Sequence, residues 1–250
     1  MGIVIKNENQ IEIMRRASVI CAKTHELLAG YITPGITTQE LDKIAYDYIL
    51  SQGAKPSFLG YKGYPATTCI SINNEVIHGI PGIRQLKRGD IVSIDIGVCY
   101  NHFHGDAART HAVGDVSDEH RRLISAAEAA FFAGMEFAKS GCHLHDISAA
   151  IGDYVEAQGF SVVEEWCGHG IGRRLHEDPQ IPHIRQEKRG SRLERGMTLA
   201  IEPMINVGLG QTIICDDAWT VVTKDGKYSA HYENTILITD GEPDILTLCG

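Results

Sequence analysis

The chain has 250 residues, a formal net charge of −9, 43% hydrophobic and 22% charged residues, the profile of a soluble globular protein. Those proportions exclude a fibre, a disordered chain or a small disulfide scaffold. With 32 acids against 23 bases and no block of Lys or Arg, they also argue against a general nucleic-acid or anionic-membrane surface.

At roughly 150 residues per domain the length allows one domain or two. The opening segment MGIVIKNENQ has neither a basic start nor an apolar stretch with a cleavage site, and no apolar run nears the roughly 18 residues of a membrane span. Lys6 stands where an N-myristoylation signal wants Ser or Thr, so a cytoplasmic chain is expected. Seven scattered cysteines (21, 69, 99, 142, 167, 215 and 249), with no CxxC pair, read as reduced thiols.

In chain order, Ile11, Met14, Val19, Ala22, Leu27 and Leu28 recur at helical spacing, and a second helix is predicted from near Thr37 to a stop at Gly53. The β-rich stretches TTCISI, DIVSIDIGVCY and ARTHAV follow. The order then repeats. Leu123, Ala126, Ala127, Ala130 and Phe131 mark a helix, another runs from near His143 to Gly159, and SVVEEW, MTLAIEPMI, WTVVT and ENTILIT read as strands. Helices precede strands within each part instead of alternating with them, which favours an α+β fold with an antiparallel sheet.

A direct alignment supports the repetition. Shifting residues 35–54 by 106 places five identities in twenty positions, Gly35/Gly141, Asp47/Asp153, Tyr48/Tyr154, Gln52/Gln158 and Gly53/Gly159, and at a shift of 107 LKRGDIVSID (86–95) falls on LERGMTLAIE (193–202). The chain therefore reads as one domain of two related halves, about 1–112 and 113–250, with Asp95 and Glu202 in equivalent places facing each other across a pseudo-twofold axis.

Asp95 lies in the apolar run IVSIDIGV and Glu202 in LAIEPMI, where an unpartnered buried carboxylate is costly by several kcal/mol. Asp106 follows HFHG, and Glu233 opens ENTILIT. Any one of these alone reads as a structural acid with a buried partner. Four together, two of them repeat-equivalent and with no arginine expected in the apolar strands around them, require a cation. His78 and His169 share His-Gly-Ile, one in each half, glycines flank His169, and His176 follows seven residues on. His25, His120, His143 and His145 fall on helical or polar stretches and are expected at the surface. Four carboxylates and an imidazole suit Mn²⁺, Fe²⁺ or Co²⁺ better than a closed structural zinc, and carboxylates that bridge two ions allow metal-dependent hydrolysis.

Asp95, the HGD of Asp106, GHGIG with His169, IEP with Glu202 and YENT with Glu233 together resemble the five-ligand pattern of the methionine aminopeptidases, nearly end to end. No long extension precedes the pattern and no large insertion separates His169 from Glu202, so the chain resembles the bacterial type I form. The resemblance implies the pita-bread fold, a pseudo-twofold α+β domain. It implies that Asp95 binds one metal, that Asp106 and Glu233 bridge two, and that His169 and Glu202 complete the shell of the second metal. Both ions would be Fe²⁺, Mn²⁺ or Co²⁺, with Zn²⁺ as another candidate, and a hydroxide bridging them would attack the methionine carbonyl. Glu202 would be the general base, His78 would contact the peptide beyond the scissile bond and pass a proton to the leaving amine, and His176 would stabilise the tetrahedral intermediate. The methionine pocket maps onto Phe58, Tyr61, Tyr64, Cys69 and Trp219, and a Na⁺ or K⁺ loop onto Asn73 and Ser229.

The implied substrates are nascent polypeptide N-termini whose second residue is small, met in transient association with the ribosome by a monomer that binds no specific nucleic acid or membrane. Four departures from the family's pattern stand out: Phe58 for a small residue or cysteine, Leu175 for an aromatic, Gly97 for a hydroxyl residue, and His231-Tyr232 for Gln-Phe or Gln-Tyr. A proline-specific aminopeptidase of the same fold carries an additional N-terminal domain. A creatinase-like enzyme lacks the metals, and a metal-free binding module acting at the ribosome or on RNA would have lost ligands and gained basic patches.

Overall fold

The computed structural model describes residues 2–248. The first half runs α1 (Glu8–Ala29), α2 (Thr38–Ser51), β1 (Lys55–Pro56), β2 (Thr68–Ile72), β3 (Glu75–Ile77), β4 (Ile91–Tyr100) and β5 (Phe103–Ala112). The second runs α3 (Asp118–Met135), α4 (Leu144–Ala157), β6 (Ser161–Val162), β7 (Gly168–Gly170), β8 (Glu177–Ile181), β9 (Thr198–Ile201), β10 (Met204–Asn206), β11 (Thr212–Ile214), β12 (Val221–Thr223), β13 (Ser229–His231), β14 (Glu233–Leu237) and β15 (Asp244–Ile245).

Local chemistry sets the helix ends where the sequence places them. Thr37 caps α2, with Glu40 returning the bond to the Thr37 amide, and at the N-cap of α4 Asp146 accepts from the His143 amide at 3.0 Å. Gly53 and Gly159 follow the two helices in the left-handed region, at φ of 72° and 79°. The strands depart from expectation in several places: β1, β3, β7, β8, β11, β13 and β15 lie outside the expected stretches, and β5 begins at Phe103. SVVEEW is strand only over Ser161–Val162, and MTLAIEPMI breaks into β9 and β10 around Glu202 and Pro203, because proline has no N–H to continue a ladder.

One antiparallel sheet has the order β1-β4-β5-β14-β9-β7-β8, with β2 added on β4 and β15 on β14, and two three-stranded sheets, β13-β10-β6 and β11-β12-β3, flank it. The repeat is visible in matching backbone bonds: Gly35 N–H to Leu86 O and Leu86 N–H to Ile36 O in one half, Gly141 N–H to Leu193 O and Leu193 N–H to Cys142 O in the other. The halves meet where β5 pairs with β14, Glu233 opposite Ala108, and Thr235 Oγ1 accepts from the Asp106 amide.

Strand alternation then divides the residues by face. Val92, Ile94, Ile96 and Val98 of β4 pack with Ile20, Leu41 and Ile49 of α1 and α2, while Ser93, Asp95 and Gly97 turn the other way. In the second half Leu199, Ile201 and Ile236 pack with Phe131, Ile147 and Ile151 of α3 and α4. Helices cover one face of the sheet, and the strand carboxylates occupy the opposite one.

His25 corrects an expectation. It is buried, and its Nε2 donates to Ala107 O at 2.8 Å, because α1 lies so close on β5 that a Cβ at Gly105 would meet Ser18 Oγ at 2.6 Å. His120, His143 and His145 are partly exposed. The six described cysteines are all free thiols, and Cys249 lies outside the described residues. Among the described residues no helix is long and apolar enough to cross a membrane.

Burial holds the His25 imidazole neutral, its pKa well below the usual histidine value. A folded-state pKa below the unfolded one gives stability that is present above about pH 6.5 and is lost as pH falls. The advantage in thermal stability of the parent over His25→Gln should therefore shrink between pH 7.5 and pH 5.5; a difference that stays constant contradicts the assignment.

Candidate metal centre and substrate pocket

Five donors converge on one end of a cavity of about 470 Å³. Asp95 comes from the middle of β4, Asp106 from β5, His169 from β7, Glu202 from the break after β9 and Glu233 from the first position of β14. His169 Nδ1 lies 2.9 Å from the Gly170 carbonyl, which can only accept, so the proton sits on Nδ1 and the Nε2 lone pair faces Glu202 Oε1 at 3.5 Å. Donor atoms of Asp106, His169 and Glu233 all lie within 4.8 Å of one another.

The electrostatics of this cluster are those of a cation site. Asp95 Oδ1, Asp106 Oδ1 and Glu233 Oε1 are buried acceptors with no hydrogen-bond donor. Burial first, and then the charges of the other acids, push Asp95, Glu202 and Glu233 well above the carboxylate range, and burial raises Asp106 to about 7. Burial also lowers His169 to about 4, leaving its nitrogen free to ligate. Buried anions without donors are stabilised by bound cations, and hard carboxylate oxygens with one imidazole fit a divalent metal.

Arg109 corrects the expectation that the strands hold no arginine. It lies on β5, three residues after Asp106, and donates to the main-chain carbonyl of Glu233 and to Asn234 Oδ1 at 2.6 Å. Its charge pulls the Glu233 pKa down, as a weaker influence than burial and the three neighbouring acids. It therefore braces the seam between β5 and β14 and leaves the carboxylate oxygens uncovered.

The slot beyond the donors is apolar and polarisable. Tyr64 and Trp219 meet edge to face at 5.0 Å between ring centroids, beside buried Phe58, Cys69 and Leu175. Tyr64 is fixed by its hydroxyl, which donates toward Thr68 O and Gly79 O at 3.0 and 2.9 Å. His176 stands over the donor end, 4.2 Å from the His169 ring, with Nδ1 2.9 Å from the Tyr61 hydroxyl. A buried ion pair of Lys6 with Glu177, at 2.7 Å, anchors the residue next to it. His78, at φ 59°, also lines the cavity, packed edge-on to Trp166 at 5.1 Å.

Phe58 and Gly97, two separate departures in the sequence, are one feature in space. A Cβ built at Gly97 would lie 2.6 Å from Phe58 Cε1 and 2.8 Å from Ser57 Cβ, so the phenyl ring occupies the room that a side chain at 97 would need. The Asn73 loop does meet Ser229, through Ser229 N–H to Asn73 O at 2.8 Å, while Asn73 Oδ1 accepts from Ile91 and its Nδ2 donates to Asp90.

Residues that the sequence does not single out also surround the donors. His183 Nε2 accepts from the Glu202 amide at 3.3 Å and fixes the backbone of that break; nothing in IPHIR distinguishes it. Trp166 and Cys167 line the cavity just before His169. His231, half of the His231-Tyr232 departure in the sequence, stands beside them, its Nε2 4.0 Å from Glu202 Oε2.

The profile of metallopeptidase family M24 matches residues 12–240. The chain belongs to that family. It is 56% identical to a methionine aminopeptidase of Clostridium perfringens, over 98% of this chain and 99% of that one, and 52% identical to methionine aminopeptidase 1 of Bacillus subtilis, over 98% and 99%. The crystal structure of the methionine aminopeptidase from Thermotoga maritima superposes with a TM-score of 0.97 at 40% identity, covering 99% of this chain and all of that one. The M24 chain is thus a metallopeptidase of the methionine aminopeptidase type with the pita-bread fold, and divalent metal binding comes with the family.

Two outcomes follow from this geometry. Metals compete with protons for the raised carboxylates, so the gain in melting temperature on adding Mn²⁺ to chelator-treated protein should grow from pH 6 to pH 8. A gain that is flat or falling with pH would contradict the ligand set. Gly97→Thr should cost roughly 1–3 kcal/mol through overpacking, and Phe58→Cys in the same chain should recover a large part of it. Strictly additive costs in a double-mutant cycle would show that the two positions are independent.

Proposed function

We propose that the chain hydrolyses the first peptide bond of nascent polypeptides that begin with methionine and carry a small second residue, and that it uses two divalent ions held by Asp95, Asp106, His169, Glu202 and Glu233. The observation that carries this reading is the junction of five convergent donors with an apolar slot lined by Tyr64, Cys69 and Trp219. A thioether packs well on aromatic rings and sulfur, and the slot ends where the carbonyl of a first residue would meet the donors.

Bound ions would lower the pKa of a shared water and polarise the carbonyl. Asp95 would hold one ion, Asp106 and Glu233 both, and His169 and Glu202 the other. Glu202, among the donors, would take the proton of the attacking water. His176, above the donors, would donate to the developing oxyanion. His78 would contact the peptide beyond the scissile bond and pass a proton to the leaving amine. Phe58 and Tyr61 complete the methionine pocket.

The ions are Fe²⁺, Mn²⁺ or Co²⁺, with Zn²⁺ as a further candidate, and the Asn73 turn beside Ser229 is the place for a Na⁺ or K⁺ ion. The two halves, 1–112 and 113–250, would act as one catalytic domain, a cytoplasmic monomer that associates transiently with the ribosome and binds no specific nucleic acid or membrane.

Metal-reconstituted protein should release methionine from Met-Gly-Met-Met and leave Leu- and Pro-headed analogues intact; no release with any of Fe²⁺, Mn²⁺ or Co²⁺ would sink the proposal. Glu202→Ala should lower kcat by about 10² to 10⁴-fold while at least one metal equivalent still binds. Full activity in that variant would remove Glu202 from the role of base.

A further inference from the structure

Beside the five donors stands a sixth, a nitrogen with no role in the reaction described above. His231 ends β13, is 1% exposed, and has no hydrogen-bond partner at Nε2. That atom lies 4.0 Å from Glu202 Oε2 and 3.9 Å from Glu233 Oε2. Both gaps are too long for a hydrogen bond. They are the spacing of donors around one ion: with bonds of about 2.0–2.2 Å, two donors on a common cation stand roughly 3 to 4.2 Å apart, depending on their angle.

Glu202 divides its carboxylate between two histidines, Oε1 toward His169 at 3.5 Å and Oε2 toward His231. Donor atoms of Glu202, His231 and Glu233 lie within 4.8 Å of one another, forming a second group that shares Glu233 with that of Asp106, His169 and Glu233. We propose that His231, Glu202 and Glu233 form an additional divalent-cation position next to the dinuclear centre, selective for ions that accept an imidazole nitrogen, such as Co²⁺ and Zn²⁺, over Mg²⁺ and Ca²⁺. This inference rests on the dinuclear reading of the other five donors. Because its two carboxylates are shared with that centre, the position fills last.

The test is a Co²⁺ titration of chelator-treated protein, followed by calorimetry and by visible absorption. The parent should bind one equivalent more than His231→Gln and His231→Leu, or bind its last equivalent at least tenfold more tightly, while His169→Ala loses a tighter one. If the His231 variants match the parent in number and affinity and His169→Ala does not, this position is refuted and the dinuclear centre stands. If His169→Ala also matches the parent, the dinuclear reading fails and this inference falls with it. Should the His231 variants not fold, ¹⁵N-histidine spectra of the parent decide: Zn²⁺ should shift the His231 Nε2 resonance at the last equivalent, and an unmoved resonance overturns the proposal.

Discussion

Four carboxylates crowded close together, three of them with a buried oxygen that meets no hydrogen-bond donor, are the constraint around which this molecule is built. A chain of modest stability cannot hold Asp95, Asp106, Glu202 and Glu233 in apolar surroundings as isolated anions. The sheet places them there nevertheless, each on a different strand or strand end, with helices and two apolar cores fixing the backbone from behind. The arrangement is stable in only two ways, by taking up protons or by taking up metal, and at neutral pH the second leaves the acids as ligands.

The nearest positive charge shows how strictly the site is kept for cations from outside. Arg109 is one strand position from Ala108, the partner of Glu233, yet its guanidinium is spent on main-chain and amide oxygens and on the face of Tyr232, 4.4 Å from the ring centroid. An arginine turned toward the carboxylates would have satisfied them and closed the site. Strand alternation prevents this, since residues 106 and 109 leave β5 on opposite faces.

How much of this is legible in the sequence depends on whether a residue's meaning is local. The four acids can be found because a charge inside a β-branched run is anomalous wherever it occurs, and the internal repeat by itself pairs Asp95 with Glu202. Helix ends are legible for the same reason, through Thr37, His143 and the two glycines. His25 reads as a surface residue because the helix that carries it is amphipathic by pattern, and only the close approach of α1 to Gly105 puts that position against a strand carbonyl. Arg109, His183 and the fit of Phe58 to Gly97 are relations between distant segments, and no spacing along one segment encodes them. The break at Glu202 is written in the sequence as Pro203, though its consequence, two short strands in different sheets, is not.

The seam between β5 and β14 has a mechanical meaning as well. Asp95 and Asp106 belong to one half of the repeat, while His169, Glu202 and Glu233 belong to the other. An ion bound between them would act as a clasp, drawing the strands before α3 to the strands after it, and neither set of strands holds the full donor set by itself.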